Sequence, residues 1–353
     1  MSHYEERLQE DLDRLHTTVQ TLGDTVGLSM RNAVRALLEK NIELANDVII
    51  GDLAINRASR DLDRSCHAFV ARHLPTAGHL RYVSSLMRMS VMLERIGDYA
   101  ETISRTVQHI SAPPSETIVK HIEFMAEQAF QVYDQAMKAF VAKSPDMAQS
   151  THALSTQFTK TFDRVITDLS KEADGSSRPA YELFALLGTF NRLERTIHQS
   201  KNICEETVFF ATGKTKSRKK FDFIFVDESG SGASVLAAAI ASRSHPEAGT
   251  FTSAGWKAEE ALASDFVAFA EGRGLELQDG PPRAMGSVGF RPDEYDIIID
   301  LDGKARDNLS APGFHTVILV HELTDKNSAE QVFEDIKNYL NDLMLKLRGE
   351  DWD

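Results

Sequence analysis

Apolar residues recur every three or four positions from Leu8 through Leu12, Leu15, Val19, Leu22, Val26, Met30 and Val34 to Leu37, with no proline among them. That spacing keeps one face of an α-helix apolar and predicts a first helix about 45–50 Å long at 1.5 Å per residue. A second is expected over residues 42–73, with Leu44, Val48, Ile55, Leu62, Cys66 and Phe69 as its buried stripe and Pro75 just past its end. A third covers 78–110. Long antiparallel helices with short connections make a three-helix bundle. Ser111-Ala112-Pro113-Pro114 then breaks the pattern, and Ser115 stands where a helix N-cap is needed. The helical period resumes over 118–141, 146–170 and 178–212, with the turn-forming Asp174-Gly175-Ser176-Ser177 before the last.

Beyond residue 213 the period changes. Lys214-Thr215-Lys216-Ser217-Arg218-Lys219-Lys220 reads as a basic linker, and Phe221-Asp222-Phe223-Ile224-Phe225-Val226 as the first strand. A Gly/Ser loop and a helix over 235–243 follow it. Further strands are expected over 295–299 and 316–320, and Val332, Ile336, Leu340, Leu343 and Leu347 mark a closing amphipathic helix over 328–348. Strand, loop and helix in alternation predict a parallel sheet covered by helices. The expected architecture is multidomain: all-α tandem three-helix bundles over 1–112 and 113–213, a linker over 214–220, and an α/β domain over 221–353.

Length agrees, since 353 residues exceed one ordinary core. A composition 42% hydrophobic and 26% charged is that of a globular chain. The longest apolar stretches fall far short of the roughly 20 residues a membrane span needs, and the N-terminus lacks the basic start and apolar core of a signal peptide. The expectation is a cytoplasmic protein with no membrane insertion. Cys66 and Cys204, the two cysteines, are too few for a disulfide framework or thiolate cage and are expected to be packed thiols. A net charge of -14 disfavours nucleic acid and leaves proteins, cations or small anions as partners.

Leu93-Glu94-Arg95-Ile96-Gly97-Asp98-Tyr99-Ala100 is echoed by Leu193-Glu194-Arg195-Thr196-Ile197-His198-Gln199-Ser200, which marks an internal repeat. Glu94 and Asp98 lie four apart, so on a helix their carboxylates are about 40° apart around the axis and repel unless a cation separates them. Hard oxygen donors suit Mg²⁺, Ca²⁺ or Mn²⁺; in the second copy Glu194 and His198 tilt the donor set toward Zn²⁺ or Fe, or leave that site empty. Gly213-Lys214-Thr215 imitates a nucleotide loop, but Val208 stands where its first glycine should be and the segment follows a helix instead of a strand.

Residues 4–212 resemble the PhoU family, accessory regulators of phosphate-specific transport. The matching residues are Asn41-Ile42-Glu43-Leu44-Ala45-Asn46-Asp47-Val48-Ile49 through Asp52, with Ile55-Asn56, and the Leu93 to Ala100 motif. The resemblance implies two three-helix bundles, a metal motif falling on Glu94 and Asp98 and again on Glu194 and His198, and docking onto a phosphate ABC transporter or a sensor histidine kinase. A second copy of the chain, as a homodimer, is a further candidate partner. The segment from Phe221, with Thr252-Ser253-Ala254-Gly255 and Tyr295-Asp296-Ile297-Ile298-Ile299, resembles the low-molecular-weight tyrosine phosphatase and arsenate reductase fold. That family's loop carries a nucleophilic cysteine and, six residues on, a phosphate-clamping arginine; here those positions hold Asp227 and Ala233. Ser234 alone of the catalytic set remains. The expectation is a loop of Asp227, Ser229, Gly230, Ser231, Gly232 and Ser234 that binds a ligand or anion without turnover, against the alternative of a phosphatase-like enzyme with a regulatory helical domain.

Overall fold

The computed structural model describes residues 3–156, 165, 168–171, 178–215, 219–287, 290–309 and 316–348. The chain divides into two compact units, Met1–Lys216 and Ser217–Asp353.

The first unit is built from α1 (His3–Glu39), α2 (Ile42–His73), α3 (Ala77–His109), α4 (Glu116–Val141), α5 (Pro145–Thr156) and α6 (Ala180–Thr212). The apolar stripe of α1 is buried from Leu12 to Leu37, and Leu8 packs at its edge. Capping sets the boundaries. The Asn41 side chain accepts from the Leu44 amide at 3.0 Å, and Ser115 Oγ accepts from the Ile118 amide at 3.5 Å, each satisfying a donor the helix itself leaves unpaired. Toward Pro75, α2 ends at His73, and Leu74 turns into the left-handed region at φ 44°. Gly213, φ 76°, ends α6 in the same way by donating to the Phe209 carbonyl, so the glycine of the nucleotide-loop lookalike is a helix terminator. Of the helix expected over 146–170, residues through Thr156 and 168–171 are helical; 157–164 and 166–167, with the expected turn at 174–177, lie outside the described residues.

The two repeats share one core. Leu37, Leu93 and Ile103 of the first belong to the same buried cluster as Ala129, Phe140, Phe190 and Ile203 of the second. Small residues bring α1 onto α4: a Cβ at Gly27 would stand 2.9 Å from the Tyr133 ring, and the buried Tyr133 hydroxyl donates to the Gly23 carbonyl at 2.7 Å.

The second unit holds β1 (Phe221–Asp227), α7 (Ala233–Ser244), β2 (Gly249–Gly255), α8 (Ser264–Arg273), β3 (Ile297–Asp300), α9 (Ala305–Asn308), β4 (Val317–Val320) and α10 (Ala329–Arg348). The strands pair in parallel in the order β2-β1-β3-β4, with Phe223 opposite Phe251 and Ile297. Alternation along β1 sends Phe223 and Phe225 into a core with α7, α8 and α10, and Ile224 and Val226 into a smaller one with Met285 and Tyr295. Two boundaries move inward: Tyr295 and Asp296 precede β3, and Thr316 precedes β4, its hydroxyl donating to the Tyr295 carbonyl at 2.9 Å. β2 and α8 join the expected elements.

Candidate functional site

The motif repeated along the chain lies on α3 and α6. In the first copy Gly97 faces α2, where a Cβ would come within 3.0 Å of Ile55 Cγ2 and 3.4 Å of Asp52 Oδ1. The missing side chain lets the two helices close, and Asp52 of α2 thereby joins Glu94 and Asp98. Asp52 is 9% exposed. Its Oδ2 accepts from Asn56 Nδ2 at 2.6 Å, while its buried Oδ1 has no hydrogen-bond partner. Burial first, then the charges of Asp98 and Glu101, raises the Asp52 carboxyl above its ordinary range. Burial also raises Glu94, followed by Asp98 and Asp52, and raises Asp98, followed by Glu101; Arg95 offsets part of both. The three carboxylates are thus partly buried neighbours of like charge, with Arg60, Arg95 and Arg105 offsetting part of their repulsion. Among the described residues no three or more His, Cys, Asp or Glu side chains converge as a ready metal cage. The hard oxygens and the orphaned Asp52 Oδ1 nevertheless fit a divalent cation that completes its shell with water.

The second copy is built differently. Glu194 is buried at 6% exposure whereas His198 is exposed, so the pair is split between interior and surface. Ile197, itself buried, occupies the place that glycine holds in the first motif. Both cysteines are buried, and burial pushes each thiol up to about 12, which leaves them protonated and inert as nucleophiles near neutral pH.

In the second unit a pocket of about 530 Å³ opens at the carboxyl ends of β1 and β3. From β1 the chain crosses to β2 on one side and returns to β3 on the other, and the crevice at such a reversal is where open parallel sheets bind ligands. Asp227 ends β1 and is 4% exposed. Its Oδ1 accepts from the Gly230 amide at 2.5 Å and its Oδ2 from the Ser234 amide at 2.9 Å. The carboxylate thus sits in the cradle of backbone donors that a strand-to-helix loop offers an anion. Gly230, φ 64°, lies against Gly255 so closely that a Cβ would be 2.7 Å from the Gly255 nitrogen, which explains the glycine at this point in the loop. Ser229 Oγ and Ser231 Oγ are hydrogen bonded at 3.0 Å, and Gly232 makes room for the Phe266 ring. Burial raises the Asp227 carboxyl, and the two amides only partly oppose it.

β3 repeats the device. Asp300, 1% exposed, accepts from the Asp302 amide at 3.1 Å and the Ala305 amide at 2.7 Å. Asp302 accepts from the Glu228 amide at 2.8 Å and from Lys326 Nζ at 3.0 Å, and Lys257 Nζ donates to Glu228 at 2.6 Å. Asp300, Asp302, Lys257 and Lys326 were not among the residues expected from sequence. The one signal was an Asp-x-Asp directly after an apolar strand.

The PhoU domain model matches residues 19–107. The phosphate-specific transport system accessory protein PhoU of Serratia marcescens is 26% identical over 212 residues, 60% of this chain and 87% of that protein. A PhoU homologue of Thermotoga maritima is 26% identical over 227 residues, 63% of this chain and 95% of its own. The crystal structure of PhoU from Pseudomonas aeruginosa superposes with a TM-score of 0.55 at 23% identity, over 58% of this chain and 99% of that one, and shares the helical fold. Arsenate reductase from Archaeoglobus fulgidus aligns with 35% of this chain and 98% of its own at 19% identity and a TM-score of 0.29.

Proposed function

We propose that this chain is an accessory regulator of phosphate transport and phosphate-starvation signalling, with a C-terminal unit that binds a small ligand without turning it over. What carries the reading is the match of this chain to nearly the full length of PhoU accessory proteins, 87% of the Serratia marcescens one. In this reading the helical unit docks onto a phosphate transporter or its sensor kinase. Asp52, Glu94 and Asp98 would hold a divalent cation, which neutralises their face and locks α2 against α3. Support for ligand binding over catalysis comes from Asp227, whose two oxygens each accept from the loop's own amides, and from Ala233, which stands where the resembling loop carries its phosphate-clamping arginine.

Deleting the gene tests the regulatory role through a phosphate-starvation reporter and phosphate uptake. The expected outcome is a derepressed reporter at high phosphate, restored by the full chain and not by an Asp52→Ala/Glu94→Ala/Asp98→Ala variant. A reporter that keeps its phosphate response in the deletion strain would sink the role. Elemental analysis of wild type and triple variant reads the cation directly, and equal metal content in both would remove it from the scheme. Phosphatase and arsenate reductase assays on the full chain complete the set: turnover lost in Asp227→Ala would make the C-terminal unit an enzyme.

A further inference from the structure

His16 stands where the two helical repeats meet. It is half-buried on α1, and its ring stacks on Phe140 of α4 with centroids 5.1 Å apart. Its Nδ1 lies 2.6 Å from the Tyr82 hydroxyl of α3, the partner of that hydroxyl among the described residues. Tyr82 stacks on Phe140 in turn and meets the Phe210 ring of α6 edge-on at 5.0 Å. Four helices, two from each repeat, therefore converge on this pair. Tyr82, Phe140 and Phe210 are buried, which leaves the hydroxyl little access to water. Beyond the end of α4 the turn holds Lys143 in the left-handed region, φ 50°, its amide donating to the Phe140 carbonyl at 2.9 Å. That turn brings Lys143 Nζ to 5.1 Å from the centre of the Tyr82 ring, so an ammonium charge is close to the imidazole.

The hydrogen bond has a direction. Burial raises the Tyr82 hydroxyl far above its ordinary range, so the phenol keeps its proton and donates to a neutral His16. A protonated His16 carries hydrogen on both ring nitrogens and accepts nothing. The hydroxyl then has to turn its own proton toward apolar rings, and the imidazolium faces Lys143. Burial first, then Lys143, accordingly lowers the pKa of His16, and Asp13 on the same helix opposes them in part. Phe140 and Phe210 bring no charge from α4 and α6, and from α2 the protonated Cys66 thiol lies near Tyr82. Stability supplied by the contact is thus complete above the ordinary histidine range and is lost as pH falls through the lowered value. The face of Asp52, Glu94 and Asp98 has the opposite sign, so those acids cannot produce a loosening at low pH.

We propose that His16, Tyr82 and Lys143 form a proton-sensitive latch between the two helical repeats, closed while His16 is neutral and loosened when it takes up a proton. Mild acid frees α1 and α3 from α4 and α6 around Phe140 and Phe210, with no ligand involved. The latch belongs to the helical unit alone and is independent of the cation face and of the C-terminal pocket.

Hydrogen exchange on the full chain tests the latch, read by mass spectrometry on peptides that cover Phe140 and Phe210 and corrected for the intrinsic effect of pH on exchange. Between about pH 7.5 and about pH 5.5, either side of the ordinary histidine value, these peptides are expected to exchange roughly threefold to tenfold faster in wild type, as for the loss of one buried hydrogen bond. His16→Gln keeps an acceptor for Tyr82 and removes the titration, so its corrected exchange should not respond to pH. Lys143→Met keeps the bulk and removes the charge, so its response should shrink. An equal response in wild type and His16→Gln would assign the effect to another group and overturn the latch. So would a wild type whose corrected exchange is the same at both pH values. Where His16→Gln does not fold, Lys143→Met carries the test, and an undiminished response there overturns the proposal.

Discussion

Asp52 shows how one carboxylate reports on a whole face. Its pKa, like those of Glu94 and Asp98, is raised by burial, so the folded protein binds these protons more tightly than the unfolded chain does. Stability contributed by the face is therefore present at low pH and falls as pH rises from the ordinary carboxylate range through the raised values. Asp52→Asn keeps the shape and removes one charge. In metal-free buffer at pH 7 it should stabilise the helical unit by roughly 1 kcal/mol, or about 2–4 °C in Tm for a unit of this size. That gain should vanish once the pH is low enough to protonate the wild-type acid. Thermal melts from below the ordinary carboxylate range up to neutral pH check both parts, and a Tm that drops at pH 7 would show Asp52 already paired with a cation. Glu94 and Asp98 were legible from their spacing alone. Asp52 stood within the family-like stretch on α2, but only the closeness of α2 and α3 makes it the third acid of the group.

The same closeness depends on one position of α3. Gly97→Val would push branched carbons toward Ile55, which already lies 3.0 Å from the site of a Cβ, and toward Asp52 Oδ1. Overpacking of this kind costs about 1–3 kcal/mol, measurable by urea denaturation, and it should abolish metal uptake by forcing the helices apart. Full metal content in Gly97→Val would separate the site from the helix contact. Elements with a strong period were readable in advance: α1 to α4 keep their stripes for many turns, and α4 starts at the Ser115 cap that the sequence displays. β2 was not. Its residues Gly249 to Gly255 include only Phe251 as a large apolar side chain, because it is an edge strand whose first half is partly open to solvent. Nor could Asp300, Asp302, Lys257 and Lys326 be assembled from sequence, since it is the parallel sheet that brings the ends of β1 and β3 to one crevice. In the sequence Asp227 stands where the resembling loop carries its cysteine, and the structure adds that its carboxylate fills the cradle.

At the scale of the molecule, the two units have separate cores: every buried residue of the helical cluster precedes residue 211, and those of the α/β clusters begin at Phe223. Differential scanning calorimetry should therefore resolve two transitions, with divalent metal shifting only the helical one and a pocket ligand shifting only the other. A single transition moved by both additions would instead mean the units unfold together. Within the helical unit the opposite holds. Because both repeats share one core, the second can lose the first's acid pair and still be needed, as the apolar partner that keeps α3 buried. The Asp227 loop carries a last consequence. A receptor responds to a ligand only over concentrations that change its occupancy, and this cradle is filled by a group tethered to it at every concentration. It behaves as a permanently saturated site, so whatever sensitivity to phosphate the protein conveys has to be set by another surface or by the proteins it meets.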